Sequence, residues 1–69
     1  MSNLAQIRKK AGLTQYQIAD ALGWNQPRIA NYEKGIRTPS VNDCHKLVSF
    51  FANHGVKTSI NELFPPVAN

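Results

Sequence analysis

The twenty residues Thr14–Glu33, TQYQIADALGWNQPRIANYE, restrict the fold more than any other part of the chain. Ile18, Ala19 and Leu22 fall on one helical face, and Ile29 and Tyr32 resume a helical spacing after a break. The break is Gly23, where a residue without Cβ can take positive φ, end the first helix and turn the chain sharply. Ala19 faces that corner, and a larger side chain would wedge the helices apart. Thr14 and Gln17 have capping-box spacing for the first helix. Asn25 is a good N-cap for the second, and Pro27 is tolerated in its first turn. Two short helices meeting at a tight corner follow.

With Ile29 and Tyr32 turned inward, the second helix must show Gln26, Pro27, Arg28 and Asn31 on its outer face, the first three near its N-terminus. Glutamine and asparagine carry a donor and an acceptor side by side, which suits the N6/N7 edge of adenine. Arginine suits guanine or a phosphate. A helix carrying those groups at its front end is equipped to read a DNA major groove, and all four residues are candidate base contacts.

Sixty-nine residues make a single domain, 1–69, near the lower limit for a core without disulfides or metal, and several short helices around one core are the economical solution. The net charge is +4, and its distribution says more than its size. Residues 1–39 hold six Lys and Arg against two acids, whereas residues 40–69 hold two against two. The excess lies with the helical corner, as an anionic partner requires. Cys44 is the one cysteine, so no internal disulfide forms, and no Cys/His set has zinc spacing. Without an apolar run near 18 residues or a signal peptide, the expected location is the cytoplasm, with no membrane partner.

Taken in order, Ser2 can cap a helix over residues 3–11, with Leu4, Ile7, Arg8 and Ala11 on one stripe and Gly12 as its stop. A guanidinium in an apolar stripe is costly unless it meets a carboxylate. Glu33, close to Ile29 and Tyr32, is the candidate, so a structural Arg8–Glu33 ion pair is expected. Lys9 and Lys10 point the other way, either as a solvated face or toward phosphates. Trp24 is expected to lie as a lid over the core. In KGIRTP, residues 34–39, Gly35 fits the end of the third helix and Pro39 forbids continuation, which leaves Lys34 and Arg37 placed to grip a phosphate backbone.

Ser40 opens a fourth helix with Asp43 three residues on, and Val41, Cys44, Leu47, Val48 and Phe51 have the spacing of a core face. His45 and His54 have no partners at ligand or triad spacing. Phe50 falls beside the stripe and is a candidate for an exposed contact. Ser59 and Glu62 cap a short last helix through Ile60, Leu63 and Phe64, stopped by Pro65 and Pro66. Apolar surface around Phe50, Phe64, Pro65 and Val67, within and beside the terminal segment 59–69, would suit a subunit interface, the alternative being core packing in a monomer.

The run LTQYQIADALGWNQPRIANYEKGIRTPS resembles the Cro/CI-type (XRE-like) helix-turn-helix family of phage and bacterial regulators. The resemblance covers Ile7 to about Leu47 and rests on T-Q-x-x-I-A-x-x-L-G, then Q-x-x-I-x-x-Y-E-x-G, a basic loop and P-S. It implies an all-α, compact bundle of five short helices, a lambda-repressor-like DNA-binding domain with Thr14–Leu22 as helix 2 and Gln26–Lys34 as the recognition helix. By the same resemblance, Gln15 bonds a phosphate and braces Gln26, which reads a base, and Asn31 reads another. Pro27 stands where the family often has a polar reader, so it would touch a thymine methyl. Arg28 matches a position at the backbone or groove edge, Asn25 joins Lys9, Lys10, Lys34 and Arg37 among the phosphate candidates, and the Arg8–Glu33 pair has counterparts in some members.

The implied protein is a transcriptional regulator, more like a Cro-type repressor than a CI-type one. It would bind palindromic double-stranded operator DNA as a homodimer, formed in solution or only on DNA, with no cofactor and no small-molecule ligand. The rival within the same fold is an antitoxin that binds a toxin protein and regulates its own operon. An enzyme is disfavoured, because the sequence has no nucleophile–base set, metal cluster or phosphate loop.

Overall fold

Four of the five helices in the computed structural model, which describes residues 2–66, begin where a short polar side chain accepts a hydrogen bond from the first turn. The five are α1 (Leu4–Lys10), α2 (Gln15–Leu22), α3 (Gln26–Lys34), α4 (Val41–Asn53) and α5 (Ile60–Leu63), with no strand among the described residues. Thr14 and Gln17 form the full capping box on α2, with Thr14 Oγ1 accepting from Gln17 N and Gln17 Oε1 accepting from Thr14 N. Asn25, Ser40 and Ser59 cap α3, α4 and α5 in the same three-residue manner. All five expected helices are present.

The first helix starts differently. Asn3, not Ser2, is its N-cap residue, and it makes no side-chain capping bond. Ser2 Oγ instead donates to the carbonyls of Tyr32 and Glu33 at 2.9 and 3.1 Å, at the end of α3 where backbone acceptors lack helical partners. Asn3 reaches the other way, its N–H to Leu63 O at 2.8 Å and its side-chain amide to Glu62 O at 3.0 Å. These two residues tie the amino end to both α3 and α5.

The core is built from Leu4, Ile18, Ala19, Ile29, Tyr32, Leu47, Phe50, Phe51 and Leu63, with Trp24, Phe64 and Val48 among the half-buried groups packed against it. Trp24 meets Tyr32 edge-on at 6.0 Å between ring centres, so its expected role as a lid holds. Phe50 does not occupy the exposed position expected for it: it is 8% exposed and packs edge-on against Phe51 at 5.6 Å. The fourth helix buries a wider arc than a single stripe, because α5 lies against it as well as the rest of the core. Val41, assigned to that stripe, is 69% exposed at the first residue of α4, beyond the reach of its neighbours. Cys44 is buried, and burial pushes its thiol up from the ordinary range, in keeping with a small apolar core residue.

Gly23 ends α2 at φ +74°, with its N–H returning to carbonyls of the last turn. An added Cβ there would meet nothing within 4 Å, so the cost of a side chain is the backbone conformation alone. Gly23→Ala is therefore expected to destabilise by about 1 kcal/mol, lowering the midpoint of a circular-dichroism melt by roughly 4–8 °C. A larger loss would mean that the corner is packed more tightly than the geometry shows.

Candidate nucleic-acid interface

The corner between α2 and α3 is braced by a line of polar side chains that starts at the core edge. Arg8 Nε donates to Glu33 Oε2 at 2.6 Å and Nη2 to Oε1 at 3.3 Å, with the two side chains 13% and 8% exposed. The expected ion pair is present, and Arg8 Nη1 also donates to Leu13 O at 2.9 Å, fixing the loop into α2. Glu33 Oε1 accepts from Gln15 Nε2 at 2.9 Å, and Gln15 Oε1 in turn accepts from Gln26 Nε2 at 2.7 Å. Charge-assisted bonds at one end make the whole line stiff. Gln26 is thus held half-buried at the first residue of α3, its amide partly engaged and partly free.

Along the rest of α3 the outward residues divide. Pro27 is exposed in the first turn, and Asn31, one turn further on, lines an open cleft of about 480 Å³ with Asn25, Arg28 and Arg37. The Asn31 carbonyl takes the N–H groups of Ile36 and Arg37, so the loop after α3 folds back on that face. Arg28 stands on that cleft with its side chain 36% exposed, but it is held there by neighbours. Its Nε donates to Tyr32 Oη at 2.9 Å, its Nη2 pairs with Asp43, and its guanidinium carbon lies 4.1 Å from the centre of the Trp24 ring. A flat cation gains both a stacking face and a carboxylate from these neighbours, which solvent does not offer. The hydrogen bond with Tyr32 is the leading cause that raises its pKa above the ordinary value, so the guanidinium stays charged.

Lys9, Lys10, Lys34 and Arg37 are all exposed, and among the described residues the ion pairs are Arg8–Glu33 and Arg28–Asp43, which leaves those four charges without a carboxylate partner. Asn25 is exposed but its Oδ1 is committed to the α3 cap, and Gln15 retains one amide hydrogen beyond its two bonds. Two helices at a fixed corner, with polar groups at the front of the second and Arg37 on the cleft beside them, are the parts of one recognisable device. Residues 4–53, α1 through α4, match the family model described as helix-turn-helix.

The chain belongs to the helix-turn-helix family. A relative in Sinorhizobium fredii, carrying the name uncharacterized HTH-type transcriptional regulator, is 35% identical over 46 residues. That match covers 67% of this chain, and the chain spans 60% of the relative's length. No solved structure matches the chain significantly.

Sequence reasoning passed over one outward group on α2. Tyr16, next to Gln15 in the first turn of α2, is 66% exposed. Its position off the Ile18, Ala19 and Leu22 stripe was the available signal. The residues proposed for subunit contact fare unevenly: Phe50 is core, Phe64 is half-buried edge-on to Tyr32 at 6.4 Å, Pro65 is exposed, and Val67 lies outside the described residues. Both phenylalanines turn inward because a chain this short needs their area for its own core. Among the described residues no three His, Cys, Asp or Glu side chains gather as a metal site, and no helix is long and apolar enough to cross a membrane.

Proposed function

We propose that this chain is a transcriptional regulator that binds palindromic operator DNA as a two-fold homodimer and represses by occupying promoter DNA. The observation that carries the reading is the Gln26–Gln15 hydrogen bond at the front of α3, which holds an amide in one place on a rigid helix end. Gln26 and Asn31 read base edges in the major groove, and Pro27 touches a thymine methyl. Lys34, Arg37, Lys9, Lys10 and the remaining hydrogen of Gln15 meet phosphates. Arg28, held on the cleft beside Asn31 by Tyr32 and Asp43, meets the edge of the groove. The name of the Sinorhizobium relative points the same way.

The principal extents are 34 × 24 × 21 Å, so one copy serves one groove. Reading a palindrome takes two copies with their α3 helices about 34 Å, or roughly ten base pairs, apart. With Phe50 and Phe64 committed to packing, exposed apolar groups such as Ile36, Val41 and Pro65 are few, which favours pairing on DNA over a tight free dimer.

Selection of bound sites from random DNA tests this directly, the expected outcome being a two-fold consensus with that spacing. Gln26→Ala is expected to cost about 1–3 kcal/mol of discrimination at one base pair of each half-site while leaving binding to random duplex unchanged. A Gln26→Ala protein that chose among operators as the parent does would refute the assignment.

A further inference from the structure

We infer that Glu33 is a positioning residue for base preference: its carboxylate sets the direction of the Glu33–Gln15–Gln26 hydrogen-bond line, so that Gln26 offers adenine-reading chemistry. The inference rests on the reading of Gln26 as a base contact. A glutamine amide holds an acceptor and donors on nearly isosteric arms, so its neighbours decide which arm points where. Arg8 can only donate and an ionised carboxylate can only accept. Glu33 therefore receives Arg8 most closely on one oxygen, at 2.6 Å, and draws the NH2 of Gln15 at 2.9 Å to the other, where Arg8 reaches only at 3.3 Å. Gln15 is left with its carbonyl facing Gln26, which must bring its own NH2 to that side, at 2.7 Å.

The line ends with the Gln26 nitrogen inward, one N–H still free, and the carbonyl on the open side. A donor and an acceptor in that order match N7 and the N6 amino group of adenine. Guanine places the O6 acceptor where adenine has its amino group, opposite the Gln26 carbonyl, and two acceptors repel.

Glu33→Gln keeps the shape and reverses the logic. Arg8 captures the new amide oxygen, so the new NH2 faces Gln15, which turns its carbonyl inward and its NH2 toward Gln26. Gln26 then turns its carbonyl to the inner side, where N7 of either purine is a second acceptor and that contact is lost to both. It shows NH2 on the open side, where it donates to O6 of guanine but meets a second donor at N6 of adenine. Preference is expected to swing from adenine to guanine with no change in any residue that touches DNA.

The experiment compares the intact chain with E33Q, Q15L and Q26A on duplexes carrying adenine or guanine at the Gln26-dependent position, alongside side-chain amide NMR of the free proteins. The parent is expected to favour adenine about tenfold. In E33Q that ratio falls by clearly more than about tenfold, so that it inverts in favour of guanine, and the Gln26 NH2 signals move as they lose their bonded partner. In Q15L, which breaks the line without altering the ion pair, the ratio drifts to parity without inverting. If E33Q or Q15L kept the parental ratio while Q26A lost it, the directional role of Glu33 would be overturned and the base reading would survive. If Q26A also kept it, both would fall.

Discussion

Arg8→Ala is expected to lower the melting midpoint by at least about 12 °C, leaving the chain partly unfolded near body temperature. The truncation removes three donors, to both oxygens of Glu33 and to Leu13 O. It leaves a carboxylate only 8% exposed with Gln15 as its remaining side-chain partner. Breaking one side of a buried pair costs about 3–5 kcal/mol, and a domain this small loses roughly 4 °C or more per kcal/mol. Because marginal stability for such domains starts near 5 kcal/mol, the variant should be partly unfolded at 37 °C. Replacing both partners, Arg8→Met with Glu33→Leu, should recover much of the loss, since apolar residues of similar volume leave no charge stranded. Circular-dichroism melts of the two proteins check this. A midpoint for Arg8→Ala within about 3 °C of the parent would show the pair to be solvated and unimportant to the fold. Recovery in the double variant would show that a charged pair is not required for stability at this place, which is where its role in directing Gln15 and Gln26 becomes the better account of why it is charged.

What could be read in advance divides by distance along the chain. Thr14, Asn25, Ser40 and Ser59 act on residues three positions away, and such bonds are visible in any sequence that has them. Gly23 and Gly35 are equally local, since positive φ at a helix end is a property of one residue. The Arg8–Glu33 pair spans 25 positions yet was legible, because a cation on an apolar stripe demands an acid and few are available. Ser2 and Arg28 were not legible. Ser2 had a local role open to it as a cap and took backbone partners 30 and 31 positions away, while Arg28 found a stacking face in Trp24 and an acid in the next helix. Nothing near Ser2 favours its distant partners, and although Trp24 and Tyr32 lie only four residues either side of Arg28, nothing local favours Asp43, 15 positions on. Phe50 and Val41 mark a third limit: a 3–4 spacing fixes which residues share a face, but the width of the buried arc depends on what packs against it, and so does its extent along the helix. The polar side chains at the front of α3 were legible as a candidate site, and the brace of Gln15 on Gln26 was implied by resemblance, but the link from Gln15 to Glu33 was not, since it exists only once α2 and α3 have met.

Lys34→Glu combined with Arg37→Glu is expected to weaken binding to every duplex about 100-fold or more at 0.15 M salt, without changing which sequence is preferred. Lys34 is the last residue of α3, and Gly35 at φ +77° turns the chain so that the N–H groups of Ile36 and Arg37 return to Asn31 O. The loop is thereby held beside the helix end, with both cations exposed on it. A contact that neutralises one phosphate adds about −0.9 to the slope of log K against log salt, so two lost contacts amount to roughly 30-fold at 0.15 M, and two introduced carboxylates add repulsion of the same sign. The slope itself should shrink by about 2, measured by titrating one operator and one random duplex between 0.05 and 0.2 M salt. Preference should persist because phosphates carry no base identity. Stability should also hold, as neither side chain is paired with an acid among the described residues. Gln26→Ala makes the opposite prediction, a changed preference with an unchanged slope, so the two variants separate gripping from reading. If each altered both quantities, α3 could not be entering the groove as a rigid element with its grip at one end and its reading group at the other, and the polar line behind Gln26 would have lost its purpose.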